Sequence, residues 1–264
     1  MSLRINTNVE AFDAHRNLEA TSGAVATSME RLSSGLRINH AADDAAGLAI
    51  SEKLKGQIGG LDQAGRNVQD GISLVQTAEG SLTEVHSMLQ RVRELAVQYQ
   101  NGTLSTSDRG AISSEVSQLT SEIQRIGTTA QFNNIHLLDT AQTITFQVGA
   151  NDGEVISVST VSLGSAVGTV DLTSSTVLAD VDRAIDAVSS QRATFGAVED
   201  RLSHTYSNLQ TYQENLTASQ SRITDVDMAS EMTNLTKNQI LVQAGTAMLS
   251  QANQAPQAVL SLLH

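Results

Sequence analysis

Six histidines, at positions 15, 40, 86, 136, 204 and 264, are the side chains of this 264-residue chain best suited to proton transfer or metal ligation. They are scattered. The densest constellation is His40-Ala41-Ala42-Asp43-Asp44, where one imidazole and two carboxylates could face a divalent cation. No second histidine lies nearby, so the segment reads instead as a solvated loop or helix start. His86 and His204 fall on long helical patterns and read as bundle-edge residues. The chain has no Cys, which removes thiolate nucleophiles, thiolate metal sites and disulfides together. Gly56-Gln57-Ile58-Gly59-Gly60 has neither the spacing nor the preceding strand of a nucleotide-binding loop. Serine, histidine and aspartate are plentiful, but no nucleophile elbow organises them. The sequons at Asn101, Asn215 and Asn234 are what an Asn/Ser/Thr-rich chain produces by chance. No catalytic, cofactor-binding or metal site is expected.

With chemistry set aside, the composition describes a scaffold. The formal net charge of −12 argues against sequence-independent nucleic-acid binding, which needs Lys and Arg against phosphate. It also argues against a basic helix lying on a membrane. No run of apolar residues approaches the length of a membrane span, and the first residues lack a basic segment followed by an apolar one. The protein is therefore expected to be cytoplasmic, or exported by a route that reads no cleavable signal. One proline and seven aromatics (four Phe, three Tyr) favour long uninterrupted helices around a thin interior.

Heptads locate those helices. Val181, Val188, Phe195, Leu202, Leu209, Leu216 and Ile223 occupy one heptad position seven times in succession, predicting a helix on the order of 65 Å long with a left-handed supercoiling partner. Leu61, Val68, Val75, Leu82, Leu89 and Ala96 form a second series, which Asn101-Gly102 is expected to cap. A third helix starts within Ser105-Thr106-Ser107-Asp108 and carries Ile112, Val116, Leu119, Ile123 and Ile126 in alternating steps of four and three. The fold expected is mainly α: an elongated antiparallel helical bundle or coiled coil with one small β-hairpin region at about 140–177. The hairpin rests on the alternation of Ile144, Phe146 and Val148, the turn residues Gly149–Gly153, and Ile156 with Val158. Residues 161–177 read as a connection or small strands.

The two ends are apolar stripes without a covering layer. The first carries Ile5, Val9, Phe12, Leu18, Val25, Met29 and Leu32, and breaks at Ser33-Ser34-Gly35. The last begins after a capping box at Thr224-x-x-Asp227 and carries Val226, Met232, Leu235, Leu241, Met248, Leu249, Val259, Leu260, Leu262 and Leu263. Ordering these ends costs roughly 1–2 kcal/mol per residue, and a single stripe returns only about 1.5–3 kcal/mol per fully buried large side chain. The ends are therefore expected to order against each other and against other copies of the chain.

Several long strings resemble the bacterial flagellins. They include Leu32-Ser33-Ser34-Gly35-Leu36-Arg37-Ile38-Asn39, Ala41 through Ser51, Gln69-Asp70-Gly71-Ile72-Ser73-Leu74 and Gln90 through Gln98. Ser190-Gln191-Arg192-Ala193, Glu214-Asn215-Leu216, Ser221-Arg222-Ile223 and the ending from Gln243 to Leu262 follow in the same order. The resemblance covers residues 1–149 and 180–264. It implies a secreted, extracellular structural protein, not an enzyme, that polymerises into the flagellar filament for motility. It would leave the cell unfolded through a type III export channel and fold on assembly. Residues 1–42 with 225–264 would form an inner coiled-coil domain, and 43–224 the next layer. The assembly stripe would be Ile5, Val9, Leu18, Val25, Leu32, Leu235, Leu241, Leu249, Leu260, Leu262 and Leu263.

The resemblance also implies partners. These are other copies of the chain, an export chaperone over roughly 225–260, filament cap and hook-junction proteins, and a vertebrate Toll-like receptor. Positions matching the receptor motif are Gln90, Arg91, Glu94, Leu95, Gln98 and Glu115; subunit packing alone could also account for Arg91 and Leu95. Most flagellins carry large outer domains in mid-chain, and residues 161–177 leave room for none, so the resemblance is to a minimal form with a thin, smooth filament. Three alternatives bear on the reading. A hook–filament junction protein would share the terminal architecture. A catalytic insert would need a domain-sized space. A soluble coiled-coil adaptor would fail to form filaments.

Overall fold

The computed structural model describes residues 7–168 and 170–261, residues 255–261 by their backbone alone. The chain is mainly helical, in the order α1 (Val9–Ser34), α2 (Ala45–Tyr99), α3 (Thr106–Thr129), β1 (Gln131–Phe132), β2 (Ile135–His136), β3 (Thr143–Gln147), β4 (Val155–Ser159), α4 (Leu163–Val167), α5 (Val177–Thr224) and α6 (Met228–Ser261). It divides into a terminal unit, residues 1–56 with 216–264, and a central unit, residues 57–215. The division falls inside α2 and α5.

In the central unit the heptads are the core. Leu61, Val68, Val75, Leu82, Leu89 and Ala96 of α2 are buried, as are Val181, Val188, Phe195, Leu202 and Leu209 of α5. The two helices run antiparallel, tied by Gln69 Nε2 donating to the Tyr206 hydroxyl (2.8 Å), Gln76 to Glu199 (2.7 Å) and Arg93 to Asp182 (2.6 Å). Against α2 lies α3, whose Ile112, Val116 and Ile123 complete the core.

The third helix begins where Ser105-Thr106-Ser107-Asp108 predicts. Ser105 and Asp108 form a reciprocal capping box: the Ser105 hydroxyl accepts from the Asp108 N–H (3.2 Å) and the Asp108 carboxylate accepts from the Ser105 N–H (3.1 Å). The hydrogen bonds from the Ser105 hydroxyl and then its N–H hold the Asp108 carboxyl below its ordinary value of 3.8. A lowered folded-state pKa means that the cap stabilises α3 above the ordinary Asp range and that this is lost as the pH falls through the lowered value. A carboxyl NMR titration is expected to give Asp108 a midpoint below 3.8 that rises toward the ordinary value in Ser105→Ala, which loses the hydroxyl bond and keeps the N–H one. A wild-type midpoint at or above that value would overturn the assignment.

Four local expectations are corrected. First, α2 ends at Tyr99, and Gly102 is not in the left-handed region; Asn101 instead closes a tight turn, its side-chain oxygen accepting from the Thr103 N–H (3.2 Å). Second, the described residues form two hairpins. The expected one pairs β3 with β4, Phe146 opposite Ile156 and Ile144 opposite Val158. It docks on Gly71 of α2, where a Cβ would lie 3.2 Å from the Phe146 ring. The other pairs β1 with β2 through Asn133 and Asn134, both at positive φ, the backbone of a tight two-residue hairpin turn. Third, the 161–177 segment holds the one-turn helix α4, with Leu163 and Val167 buried. Fourth, the capping box at Thr224 is absent. Thr224 is the last residue of α5, and Asp227 alone caps α6, accepting from the Ala229 and Ser230 N–H groups at 3.0 and 3.2 Å.

In the terminal unit α1 packs antiparallel on α6. Gly35 ends α1 in the left-handed conformation (φ 74°) with its N–H on the Arg31 carbonyl (2.9 Å), as the break at Ser33-Ser34-Gly35 predicts. Just beyond, Leu36 pairs with Asp225, the Arg37 N–H reaches the Thr224 carbonyl (2.6 Å) and the Val226 N–H reaches the Gly35 carbonyl (3.0 Å). The Arg37 guanidinium donates to the Ile223 carbonyl at the end of α5 (2.6 Å). This backbone clip fixes the register of α1 against α6.

Candidate assembly and recognition surfaces

The α1–α6 seam follows a four-three spacing on both helices. On α1 the shielded positions Ala11, Ala14, Leu18, Thr21, Val25, Ser28 and Leu32 follow it, with Ala24 and Arg31 half-buried beside them. On α6 the shielded positions are Glu231, Leu235, Asn238, Val242, Gly245, Leu249 and Ala252. Most are small or polar, and the helices approach closely: a Cβ at Gly245 would lie 3.3 Å from Leu18 Cδ1. At the far end Asn8 Nδ2 donates to the Ala252 carbonyl (2.7 Å). That carbonyl is free to accept because the residue four positions on is Pro256, which has no N–H.

The seam takes only part of the predicted stripe. Leu18, Val25, Leu32, Leu235 and Leu249 lie along it, half-buried. Val9 and Leu241 lie off it and are exposed, with Phe12, Met29, Met228, Met232, Ile240 and Met248. Ile5, Leu262 and Leu263 lie outside the described residues, and Leu260 is described by its backbone alone. The apolar residues of α6 therefore surround the helix. A helix apolar on all sides needs neighbours on all sides, and α1 covers one. Selecting by residue size finds the outward faces; selecting by heptad finds the seam.

The predicted recognition residues sit where α2 faces α3. The Arg91 guanidinium donates to Glu115 from Nε (3.0 Å) and Nη2 (2.9 Å), and to Glu94 from Nη1 (3.2 Å). Glu115 first and Glu94 second push the Arg91 pKa up, holding the charge in place. Gln90, Arg91, Glu94, Gln98 and Glu115 are exposed. Leu95 is not: it is 2 % exposed and packs with Val92, Ala96, Ile112, Val116, Leu172, Val177 and Val181. The surface is one guanidinium flanked by two carboxylates and two amides, with Leu95 beneath it.

The groups first considered for chemistry hold structure together. Asp43 accepts from the Asn39 and His40 N–H groups (3.1 and 2.9 Å), bonds that keep its carboxyl below the usual range, the His40 bond foremost. Asp44 caps α2 at the Gly47 N–H (2.8 Å), and His40 Nε2 meets Glu30 at 2.8 Å. His136 Nδ1 donates to the Thr128 carbonyl (3.0 Å). Among the described residues no group of three or more His, Asp or Glu side chains could hold a metal ion, and no helix is long and apolar enough to cross a membrane.

The bacterial flagellin N-terminal helical region is matched by residues 5–143, and the C-terminal helical region by residues 178–263. A flagellin of Halalkalibacterium halodurans is 53 % identical, over 98 % of this chain and 99 % of its own length. One of Bacillus subtilis is 48 % identical over 99 % and 100 %. The flagellar filament 33 kDa core protein of Treponema phagedenis is 47 % identical over 98 % and 99 %. Among solved structures, Bacillus cereus flagellin superposes with a TM-score of 0.51 at 31 % identity, over 55 % of this chain and 88 % of that one.

Proposed function

Because the chain belongs to the bacterial flagellins and is a structural subunit of the flagellar filament, we propose that α1 and α6 are its assembly element and that they order fully only when neighbouring copies cover them. The observation that carries this is the spread of apolar residues around α6, of which α1 shields one face. Ordering and docking are then one event, each incoming copy completing the packing of those before it. Residues 1–42 with 225–264 form the inner layer of the filament and 43–224 the next. No observation favours the hook–filament junction alternative, and the family is structural rather than enzymatic.

The proposal extends to export and partners. The chain leaves the cell unfolded, which the lack of Cys suits, and a chaperone shields the exposed apolar faces of about 225–260 until then. At the filament ends the same faces meet the cap and hook-junction proteins. The Arg91–Glu94–Glu115 surface, with Gln90 and Gln98, is what a vertebrate Toll-like receptor would contact on the free chain.

Amide exchange before and after seeded growth tests the assembly mechanism. In the monomer, α1 and α6 are expected to exchange rapidly while the central-unit helices stay protected, and in the filament both are protected. Strong protection of both terminal helices in the monomer, or seeds that never elongate, would overturn it.

A further inference from the structure

Methionine is concentrated on one part of this protein, in an unusual state. Of six methionines, Met1 lies outside the described residues and Met88 is half-buried on α2. The other four are Met29, Met228, Met232 and Met248, all in the terminal unit and 50–64 % exposed. The pairing of Leu36 with Asp225 sets Met29 level with Met232, one helical turn from Met228. Met248 lies further along α6. The thioethers thus stand on the outward apolar faces that α1 and α6 leave uncovered.

We propose that Met29, Met228, Met232 and Met248 are oxidation sites that block assembly when modified in the free chain and are shielded by a second copy once it docks. The inference rests on the filament reading, since that reading supplies the covering copy. The oxidant is hydrogen peroxide. A thioether sulfur attacks one peroxide oxygen, the O–O bond breaks, an S–O bond forms and water leaves. The sulfur loses two electrons and the peroxide gains them. The product replaces a flexible apolar side chain by a polar, chiral one, on surfaces that also expose the apolar side chains Phe12, Ile240 and Leu241. A neighbour packing there would have to bury the sulfoxide oxygen without an assured donor. Methionine is otherwise well suited to such a face, because its unbranched side chain fits neighbours of differing shape.

The test treats monomer and preformed filament with dilute hydrogen peroxide, quenches with catalase, maps sulfoxides by peptide mass spectrometry and measures seeded growth. The expected result has three parts. In the monomer the four sites oxidise ahead of Met88. In filaments the same four are protected. Oxidised monomer loses seeded growth and recovers it after methionine sulfoxide reductase treatment. A chain with Met29→Leu, Met228→Leu, Met232→Leu and Met248→Leu is expected to grow equally with and without peroxide. Undiminished growth of oxidised monomer, equal oxidation of the four sites in filament and monomer, or equal peroxide sensitivity of the four-leucine chain would each overturn the proposal. An untreated chain that failed to elongate seeds would tell instead against the filament mechanism on which it rests.

Discussion

A chain carrying Leu18→Glu, or separately Val25→Glu, is expected to form no filaments while α2, α3 and α5 of the central unit stay folded. Both positions lie on the seam, and Leu18 lies so near Gly245 that a Cβ there would come within 3.3 Å of Leu18 Cδ1. A carboxylate at these half-buried positions is partly desolvated against the facing helix without a partner, which weakens the pairing. The seam has little to offset that, because Ala11, Ala14, Thr21, Ser28, Gly245 and Ala252 leave its large apolar side chains widely spaced. The central unit does not depend on these residues; its core is built from Leu61 through Leu95 and Val181 through Leu209. Electron microscopy after seeding, with circular dichroism on the same samples, reads both halves of the expectation. Filaments at wild-type yield would remove the α1–α6 pair from the mechanism.

The second large effect separates packing from recognition. Leu95→Ala is expected to destabilise the central unit by about 2–5 kcal/mol, the usual cost of truncating a buried leucine, because Leu95 is enclosed by α2, α3 and α5 side chains. Arg91→Ala should leave the melting temperature nearly unchanged, since exposed ion pairs contribute little. It is nonetheless expected to lower receptor signalling by about tenfold or more, as loss of an arginine anchor does. Denaturation midpoints and a receptor reporter assay on the two single variants check this. A double substitution would confound the two effects. Unchanged signalling by a folded Arg91→Ala monomer would sink the recognition surface.

These two cases also show what was legible in the residues alone. The long helices were, because a heptad of Leu and Val cannot be satisfied by another structure over this length, and so was the stop at Gly35. Leu95 was not. Between Arg91, paired to α3, and Arg93, paired to α5, the second helix is covered from two sides. Its buried arc widens there beyond one heptad position. The seam of α1 and α6 was hidden for the opposite reason. It runs through Ala14, Ser28 and Gly245, side chains that no search for large apolar residues selects, while Phe12 and Met29 point away from it. The β1–β2 hairpin escaped because two-residue strands show no alternation, and Asn133-Asn134 is a weaker turn signal than Asn-Gly. The resemblance named the candidate recognition residues, but whether each is surface or core depends on how three helices meet.

The small-residue seam has a mechanical consequence. Side chains that interdigitate little offer little resistance to being drawn apart one turn at a time, so α1 and α6 should unzip under low force. The central unit, with Phe195 and its leucines locked between helices, should yield only at high force and all at once. A motor that pulls this chain from either end meets its weakest element first and gains a stretch of extended polypeptide before it must do work against the core.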